Sequence, residues 1–331
     1  MADENITLKK NVPIFIAISI FVLTVLTTPS FSSSSGEGLY LITLALSGGG
    51  MAWIYHKLGY FWGFLASVVS YLLSWTICDS PILALASLSV IPCGIAYSLL
   101  SKRKLTRSYT VAVSGVSVSL IFLVIVFLTV YNQVGEFNIS AIKVVFSSFF
   151  DMMRNALIES FTVTVAGQTV PFITAENADE YINLVIGIMP GVITALSTVL
   201  CFFAGLIYKL ILSLTHCELP YSDDWKLSPS PITAAFFCVS LLLSVAAGDA
   251  NIIWLATVNI SLVLFPSFFF AGASSVMQIQ IVNGIPRPRV LRRILFFGSL
   301  FIALPLTIII AALFGVIDSI KTLFPKKDQN T

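Results

Sequence analysis

Five polar side chains in or beside the apolar segments of this chain could bind a small ligand. They are Asp151, Arg154, Asn183, Asn251 and Asn259. Asp151 and Arg154 are spaced i, i+3, so they can form an ion pair on one face of a helix. Asn251 and Asn259 are eight residues apart and would lie on similar faces of one helix. Hydrogen bonding between membrane helices is the commoner role of such asparagines, and it is the alternative to ligand binding.

Residue patterns that would indicate an enzyme or a metal protein cannot be read in this sequence. The two histidines and five cysteines are scattered, with no CxxC pair, no readable catalytic triad and no Gly-Lys-Ser/Thr nucleotide loop. His216, Cys217 and Glu218 are metal-ligand types, but they are consecutive and no second cluster completes a site. We therefore expect no enzymatic activity, no metal and no cofactor. The basic loops are short and lie at a membrane face, so we expect no nucleic-acid partner.

The composition is that of a membrane protein. Of 331 residues, 57% are hydrophobic and 10% are charged, whereas a soluble domain carries about 25% charged residues. Long, uniformly apolar runs favour spanning helices over the alternating strands of a barrel. We predict an all-α fold, a polytopic transmembrane helical bundle of about 8–10 spans, forming a single integral membrane domain over residues 1–331. The runs lie at 12–29, 39–56, 58–78, 81–100, 109–131, 181–215, 231–248, 251–282 and 291–320.

The interval 132–180 interrupts this apolar pattern, and we expect it to be an extracytoplasmic insertion. Polar and apolar residues recur in steps of three and four over about 139–161, which predicts an amphipathic helix. Its polar side carries two basic and two acidic residues, and this neutral balance disfavours binding to anionic lipid. The helix could cover a cavity, lie in the membrane interface, or simply pack over the bundle.

Lysine and arginine residues predict the orientation in the membrane. The segments 101–107 and 283–293 each carry four basic residues, whereas 132–180 holds six acidic and two basic residues. By the positive-inside rule the basic loops and the N-terminus are cytoplasmic and 132–180 is outside. We therefore expect a multi-pass membrane protein with a cytoplasmic N-terminus. The side of the C-terminus stays open, because nine spans place it outside while Lys321, Lys326 and Lys327 favour the inside.

Small residues four positions apart predict close contacts between helices. Ala45 and Gly49 form one pair, and Gly187 and Gly191 form another around Pro190. The alternative at Pro190 is a kink whose freed carbonyl groups line a cavity.

Four landmarks stand in order along the chain: residues 94–103, the segment 139–161 followed by 188–191, residues 218–227, and residues 314–319. By these the chain resembles the YybS-like family of predicted bacterial integral membrane proteins, although Lys226 and Ser228 stand where arginine and proline are usual. The resemblance implies a location in the bacterial cytoplasmic (inner) membrane. That family is distantly similar to the substrate-binding components of energy-coupling-factor vitamin transporters and to the rod-shape protein MreD.

Two functions follow as hypotheses. The resemblance implies a small-molecule binding or transport component that works with a partner membrane protein or energising module, since the chain has no ATP-binding motif. Ala45 and Gly49 could then dock the partner. The alternative is a non-transporting scaffold in cell-envelope or cell-shape assembly, favoured by the scarcity of buried charge and the many packing motifs. Polar groups converging near Arg154, Asn251 and Asn259 would support the first hypothesis, and an interior filled by apolar side chains the second.

Overall fold

The computed structural model describes most of the chain. The described residues are 17–26, 37–103, 106–160, 162–165, 168–171, 174–215, 227, 229–248, 251–278, 281–282, 285–286 and 304–321. His216, Cys217 and Glu218, most of the second basic loop and the C-terminus lie outside these ranges.

The prediction of an all-α helical bundle is confirmed. Helices occupy each of the nine apolar runs, and two short antiparallel hairpins accompany them. The helices are α1 (Ala17–Leu26), α2 (Glu37–Lys57), α3 (Tyr60–Cys78), α4 (Pro81–Ala84) with a 3-10 turn (Leu85–Ser89), α5 (Val90–Arg103), α6 (Arg107–Val134), α7 (Ile139–Val145), α8 (Ser147–Ser160), α9 (Ala175–Leu214), α10 (Pro231–Ala246), α11 (Ile252–Gln278) and α12 (Leu304–Lys321). The hairpins pair β1 (Thr162–Val165) with β2 (Gln168–Pro171), and β3 (Ile281–Val282) with β4 (Ile285–Pro286).

Five helical segments of the described chain are long and apolar enough to cross a membrane. Two further apolar helices, α1 and α10, are shorter. The chain is therefore a multi-pass membrane protein, while the count of about eight to ten spans stays a prediction. The five segments are Tyr60–Cys78, Pro81–Leu100, Arg107–Val134, Asn177–Leu214 and Ile252–Val276.

Helix α3 shows how polarity is arranged in this bundle. Its aromatic and aliphatic side chains, Trp62 and Trp75 among them, are exposed, whereas its buried positions are the small residues Gly63, Ser67, Ser70 and Ser74. Two of the serines donate to their own helix one turn back, and the Ser74 hydroxyl donates to the Val25 carbonyl of α1 at 3.3 Å. Small residues inside and large apolar residues outside suit a helix that packs on protein on one side and meets lipid on the other.

Helix α9 lies at the centre of the described fold. It contacts α2, α5, α6, α8 and α11, and α11 in turn packs on α10 and α12. The main buried cluster joins α2, α5, α6 and α9 through apolar and aromatic side chains, and separate clusters hold α10, α11 and α12 together. Within α9, Pro190 lies near the middle and breaks the regular hydrogen-bond pattern of the helix.

The stretch 139–161, expected as one helix, forms two. Helix α7 ends at Val145, because the φ of −107° and ψ of 28° of Phe146 leave the helical region, and α8 begins at Ser147. Both helices nevertheless turn apolar side chains to one cluster, in which Ile142 and Phe150 pack with Ile186 of α9. The sequence pattern runs across the break because both halves cover the same apolar surface.

Candidate functional site

The side chain of Asn259 bridges the interruption in α9. Its Oδ1 accepts a hydrogen bond from the N–H of Gly191 at 2.7 Å, and its Nδ2 donates to the carbonyl of Gly187 at 3.0 Å. A regular helix would pair these same two backbone groups with each other. Nδ2 also donates to Leu255 in its own helix at 2.8 Å. The side-chain amide of Asn259 thus bonds to two backbone groups of α9 that a regular helix would pair with each other, one of them directly after Pro190.

Two glycines permit this insertion. A Cβ atom on Gly191 would lie 2.6 Å from Oδ1 of Asn259 and 2.9 Å from its Cα, so the backbone of α11 leaves no room for a side chain there. A Cβ on Gly187 would lie 2.7 Å from Cδ2 of Leu255, the far end of a flexible side chain. The pair predicted for helix packing therefore lies at the contact between α9 and α11, with Gly191 the tighter position.

Arg154 of α8 lies between two aspartates. Its Nη1 is 3.1 Å from Oδ1 of Asp151, and its Nε donates to Oδ1 of Asp179 in α9 at 3.2 Å, with a further bond from Nη2 to the same atom. The hydrogen bonds to Asp179, and then its negative charge, raise the pKa of Arg154. The arginine side chain is 36% exposed and those of Asp151 and Asp179 are 61% and 47% exposed, so water screens the pairs. Their geometric effect is to tie α8 to the first turns of α9.

The remaining two asparagines have separate environments. Asn251 caps α11, because its Oδ1 accepts from the N–H of Trp254 at 2.7 Å and its Nδ2 donates to the carbonyl of Ala247. Asn183 is exposed on α9. Among the described residues, no hydrogen bond joins Asn183, Asn251 or Asn259 to the ion pair of α8. The structure joins only Asp151 and Arg154 directly among the five predicted ligand-binding residues.

The predicted docking face of Ala45 and Gly49 is covered from within the chain. Ala45 is buried. A Cβ on Gly49 would lie 2.5 Å from the carbonyl oxygen of Ala204 and 2.8 Å from Cβ of Ile207, both in α9. These small residues therefore bring α2 against the backbone of α9 in the same molecule.

A cluster of buried tyrosines occupies the ends of α2, α5 and α9 near the basic loop. Tyr55, Tyr97 and Tyr208 are each at most 1% exposed. The rings of Tyr97 and Tyr208 are 5.9 Å apart, the ring of His56 lies 6.2 Å from that of Tyr208, and Tyr97 donates to the carbonyl of Cys201 at 2.6 Å. We call Tyr55, His56, Tyr97 and Tyr208 the tyrosine cluster. It combines aromatic faces with hydroxyl and imidazole groups inside the bundle.

Most of the chain matches a known family of membrane proteins. The sequence model of the family described as predicted membrane protein (DUF2232) matches residues 38–319. This chain belongs to that family. The matched DUF2232 region begins in α2 and ends in α12, so it contains the tyrosine cluster, the α9–α11 bridge and the ion pair of α8. No curated protein and no solved structure matches the chain significantly.

The DUF2232 region also contains a buried cation that sequence reasoning assigned only to topology. Arg107, the first residue of α6, is 8% exposed, and its guanidinium carbon lies 5.0 Å from the ring centroid of Phe202 in α9. Phe202 in turn stacks on Phe270 of α11 at 3.8 Å. A basic residue at the start of a span usually indicates only that this end of the span is cytoplasmic. Arg107 ends the basic segment 101–107 and stands just before the apolar run 109–131, a position equally suited to an exposed residue, so the sequence carried no signal of its burial.

The tyrosine cluster was missed for a similar reason. Tyrosine near the end of a span is typical of the interfacial belt, where its hydroxyl reaches the headgroups. In this DUF2232 protein Gly63 and Gly94 flank the ring of Tyr55, because a Cβ on either would lie 2.6 Å or 2.5 Å from ring atoms. Glycines on two different helices around one tyrosine are the available sequence signal, but only spatial proximity relates them.

The three consecutive residues of metal-ligand type, for which we expect no metal site, lie outside the described part of the chain. His216, Cys217 and Glu218 fall in the gap between α9 and α10. Within the described part of the chain, no group of three or more His, Cys, Asp or Glu side chains is arranged to hold a metal ion. Cys93 and Cys201 are neighbours, with their sulfur atoms 3.3 Å apart and both residues buried.

Proposed function

We propose that this DUF2232 protein is a non-transporting membrane scaffold that organises partner proteins through its exposed helix faces. The single observation that carries the proposal is the bridge made by Asn259. An interrupted helix in the middle of a bundle is the usual place where a transporter presents backbone groups to its substrate. Here the side chain of Asn259 already uses the N–H of Gly191 and the carbonyl of Gly187.

The other residues predicted to bind a ligand also favour a non-transporting scaffold. Arg154 is engaged by Asp151 and Asp179, and Asn251 caps its own helix. Buried serines and threonines near the spans mostly donate to carbonyls of their own helix, as Ser114 and Thr198 do. Polar groups that are satisfied inside the protein have little binding energy to offer a solute.

Site-specific photocrosslinking in living cells tests the scaffold. A photoreactive phenylalanine analogue at Phe236, which is 65% exposed on α10, should capture a protein of discrete mass if that face holds a partner. The neighbouring position Phe237 is 5% exposed and serves as the matched control. Phe61 on α3 and Leu313 on α12 extend the scan to two other exposed faces.

The scaffold proposal requires a discrete protein adduct at one of the exposed positions and none at Phe237. Adducts to lipid alone at all three exposed positions would overturn it. Mass spectrometry of the intact protein in native membrane discs gives a second readout. A non-lipid small molecule bound in equal amount to the protein, and lost in Asn259→Ala, would also overturn it.

The second candidate is a small-molecule binding component, and the tyrosine cluster with nearby Arg107 is the observation that favours it. Aromatic faces, hydroxyl groups and a buried cation together suit an aromatic or anionic molecule. The likeness to YybS-like proteins and to vitamin-binding transporter components belongs to this candidate. It predicts a bound small molecule whose recovery falls in Tyr208→Phe and stays unchanged in Tyr131→Phe, a substitution at an exposed tyrosine of α6.

A further inference from the structure

Helix α8 has three faces rather than two. At about 100° per residue, Phe150 and Met153 share the face that packs on the bundle. Asp151 and Asn155 lie on a second, exposed face beside Arg154. Phe149 and Met152 lie on a third face with Ala156, and they are 49% and 66% exposed. We call Phe149, Met152 and Ala156 the apolar stripe.

Among the described residues, the hydrophobic clusters that include α8 take in Phe150 and Met153 and leave the apolar stripe exposed. A helix that merely packs over a protein needs one apolar face, and α8 already has that face in Phe150 and its neighbours. The stripe lies on one flank of the packed face, with Glu159 at its C-terminal end, and Asp151 and Asn155 lie on the other flank. A helix held at the boundary between lipid and water requires this division, because one flank meets acyl chains and the other meets water.

Exposed aromatic side chains join the end of α6 to the segment before α7. Helix α6 is apolar enough to span the membrane, and its Phe127 and Tyr131 are exposed with ring centroids 6.0 Å apart. The ring of Phe137, which follows the end of α6, lies 5.0 Å from that of Phe127. Ile139 and Val144 of α7 are also exposed, on different sides of that helix.

The charges of α7 and α8 indicate how such a surface would bind. Lys143 and Arg154 balance Asp151 and Glu159. A neutral helix pair gains no net attraction from anionic headgroups, so its binding must come from burying apolar side chains. Membrane binding of this kind should not depend on the charge of the lipid or on the salt concentration.

We propose that α7 and α8 lie in the membrane interface at the C-terminal end of α6, with Val144, Phe149 and Met152 in contact with acyl chains. Phe137 joins this surface to the spanning helix, and Asp151 and Asn155 face water. The partner of the stripe is the lipid bilayer itself. This inference is independent of the scaffold proposal, because it concerns a surface that none of the crosslinking positions touches.

Spin-label accessibility in vesicles tests the proposal. In a chain whose five cysteines are replaced by serine, single cysteines at Phe149, Met152 and, as the matched control, Asn155 receive a nitroxide label. Collision with apolar oxygen is compared with collision with a water-soluble nickel complex, in phosphatidylcholine alone and in equal parts phosphatidylcholine and phosphatidylglycerol. We expect labels at Phe149 and Met152 to favour oxygen and the label at Asn155 to favour nickel, equally in both lipids.

Two results would overturn the proposal. If the label at Met152 meets the nickel complex as readily as the label at Asn155, the stripe lies in water. If labels at Phe149 and Met152 are shielded from both reagents, a protein or a second copy of the chain covers the stripe. Should the cysteine-free chain fail to fold, the unmodified protein carries the test: a phosphatidylcholine with a diazirine on its acyl chain should label Phe149 or Met152 and spare Asn155, and the reverse would refute the assignment.

Discussion

Asn259 is the residue whose role depends most on its surroundings. Its amide makes three hydrogen bonds, two of them to α9 across the contact. Replacing it by alanine leaves the N–H of Gly191 and the carbonyl of Gly187 without that partner in a part of the helix already interrupted by Pro190. Hydrogen bonds between membrane helices contribute about 0.6–2 kcal/mol, and an unsatisfied buried group costs about 1–3 kcal/mol.

We therefore expect Asn259→Ala to lower the free energy of unfolding by about 1–2 kcal/mol. Reversible unfolding in mixed detergent and lipid micelles measures it. Asn183→Ala is the control, because Asn183 is exposed on the same helix that Asn259 bridges, and it should change little. Equal effects of the two substitutions would mean that the bridge does not stabilise the bundle.

Cys93 and Cys201 give a second residue-scale prediction. Their sulfur atoms are 3.3 Å apart across the contact between α5 and α9. Mild oxidation with iodine should remove one proton and one electron from each thiol and join the sulfurs, while iodine is reduced to iodide. Peptide mapping should recover a Cys93–Cys201 disulfide, and Cys201→Ser should abolish it. Recovery of Cys93 joined to Cys238 instead would show that α5 does not lie against α9.

At the scale of the element, replacing Gly187 or Gly191 of α9 by alanine should lower the stability by different amounts. A Cβ on Gly191 meets the backbone of Asn259, which cannot move alone, whereas a Cβ on Gly187 meets the end of the Leu255 side chain. Overpacking costs about 1–3 kcal/mol, so Gly191→Ala should approach that loss and Gly187→Ala should fall well below it. Thermal unfolding in lipid discs compares them. A larger loss for Gly187→Ala would contradict the placement of α11.

The attachment of α8 to α9 gives another element-scale prediction. Asp179 accepts two hydrogen bonds from Arg154 and Asp151 accepts one. Asp179→Asn should therefore speed amide hydrogen exchange in α7 and α8 more than Asp151→Asn does, with the spanning helices unchanged. Because both pairs are partly exposed, high salt should reproduce part of the effect in the unmodified chain. Identical exchange in the two variants would show that Asp179 does not hold α8.

At the scale of the whole molecule, α9 is long enough to reach from one end of the bundle to the other. Its 40 residues span roughly 60 Å at about 1.5 Å per residue, which is about twice the hydrocarbon core of a bilayer. We therefore expect the ion pair near its start and the tyrosine cluster near its end to lie at opposite membrane surfaces. The tyrosine cluster lies at the end near the basic loop, and the positive-inside rule predicts that this end is cytoplasmic.

Labelling of single cysteines in intact cells tests this orientation. A membrane-impermeant maleimide should react with Asn155→Cys and not with Ser101→Cys, each in the cysteine-free chain. Ser101→Cys should react only after the membrane is permeabilised, which controls for an unreactive thiol. The reverse pattern would place α7 and α8 in the cytoplasm and would refute the orientation derived from lysine and arginine.

The helical and multi-pass nature of the chain could be predicted from sequence because both are local properties. A segment in lipid must satisfy its own backbone, so an apolar run of sufficient length becomes a helix whatever its neighbours are. The break at Phe146 escaped prediction since the hydrophobic period continues across it. The third face of α8 escaped for a related reason, because Phe149 and Phe150 are equally apolar and only their surroundings separate them.

What each polar residue does was decided by the tertiary structure alone. Asn259 meets Gly191 and Gly187, which are 68 and 72 positions away in the chain, and Arg154 meets Asp179 at a distance of 25 positions. The composition of α11 and α9 fits either a ligand site or a bridge between helices. Only the approach of the two backbones at Gly191 decides between them, because a hydrogen bond requires two groups to come within about 3 Å, and sequence spacing within one helix says nothing about which other helix comes that close.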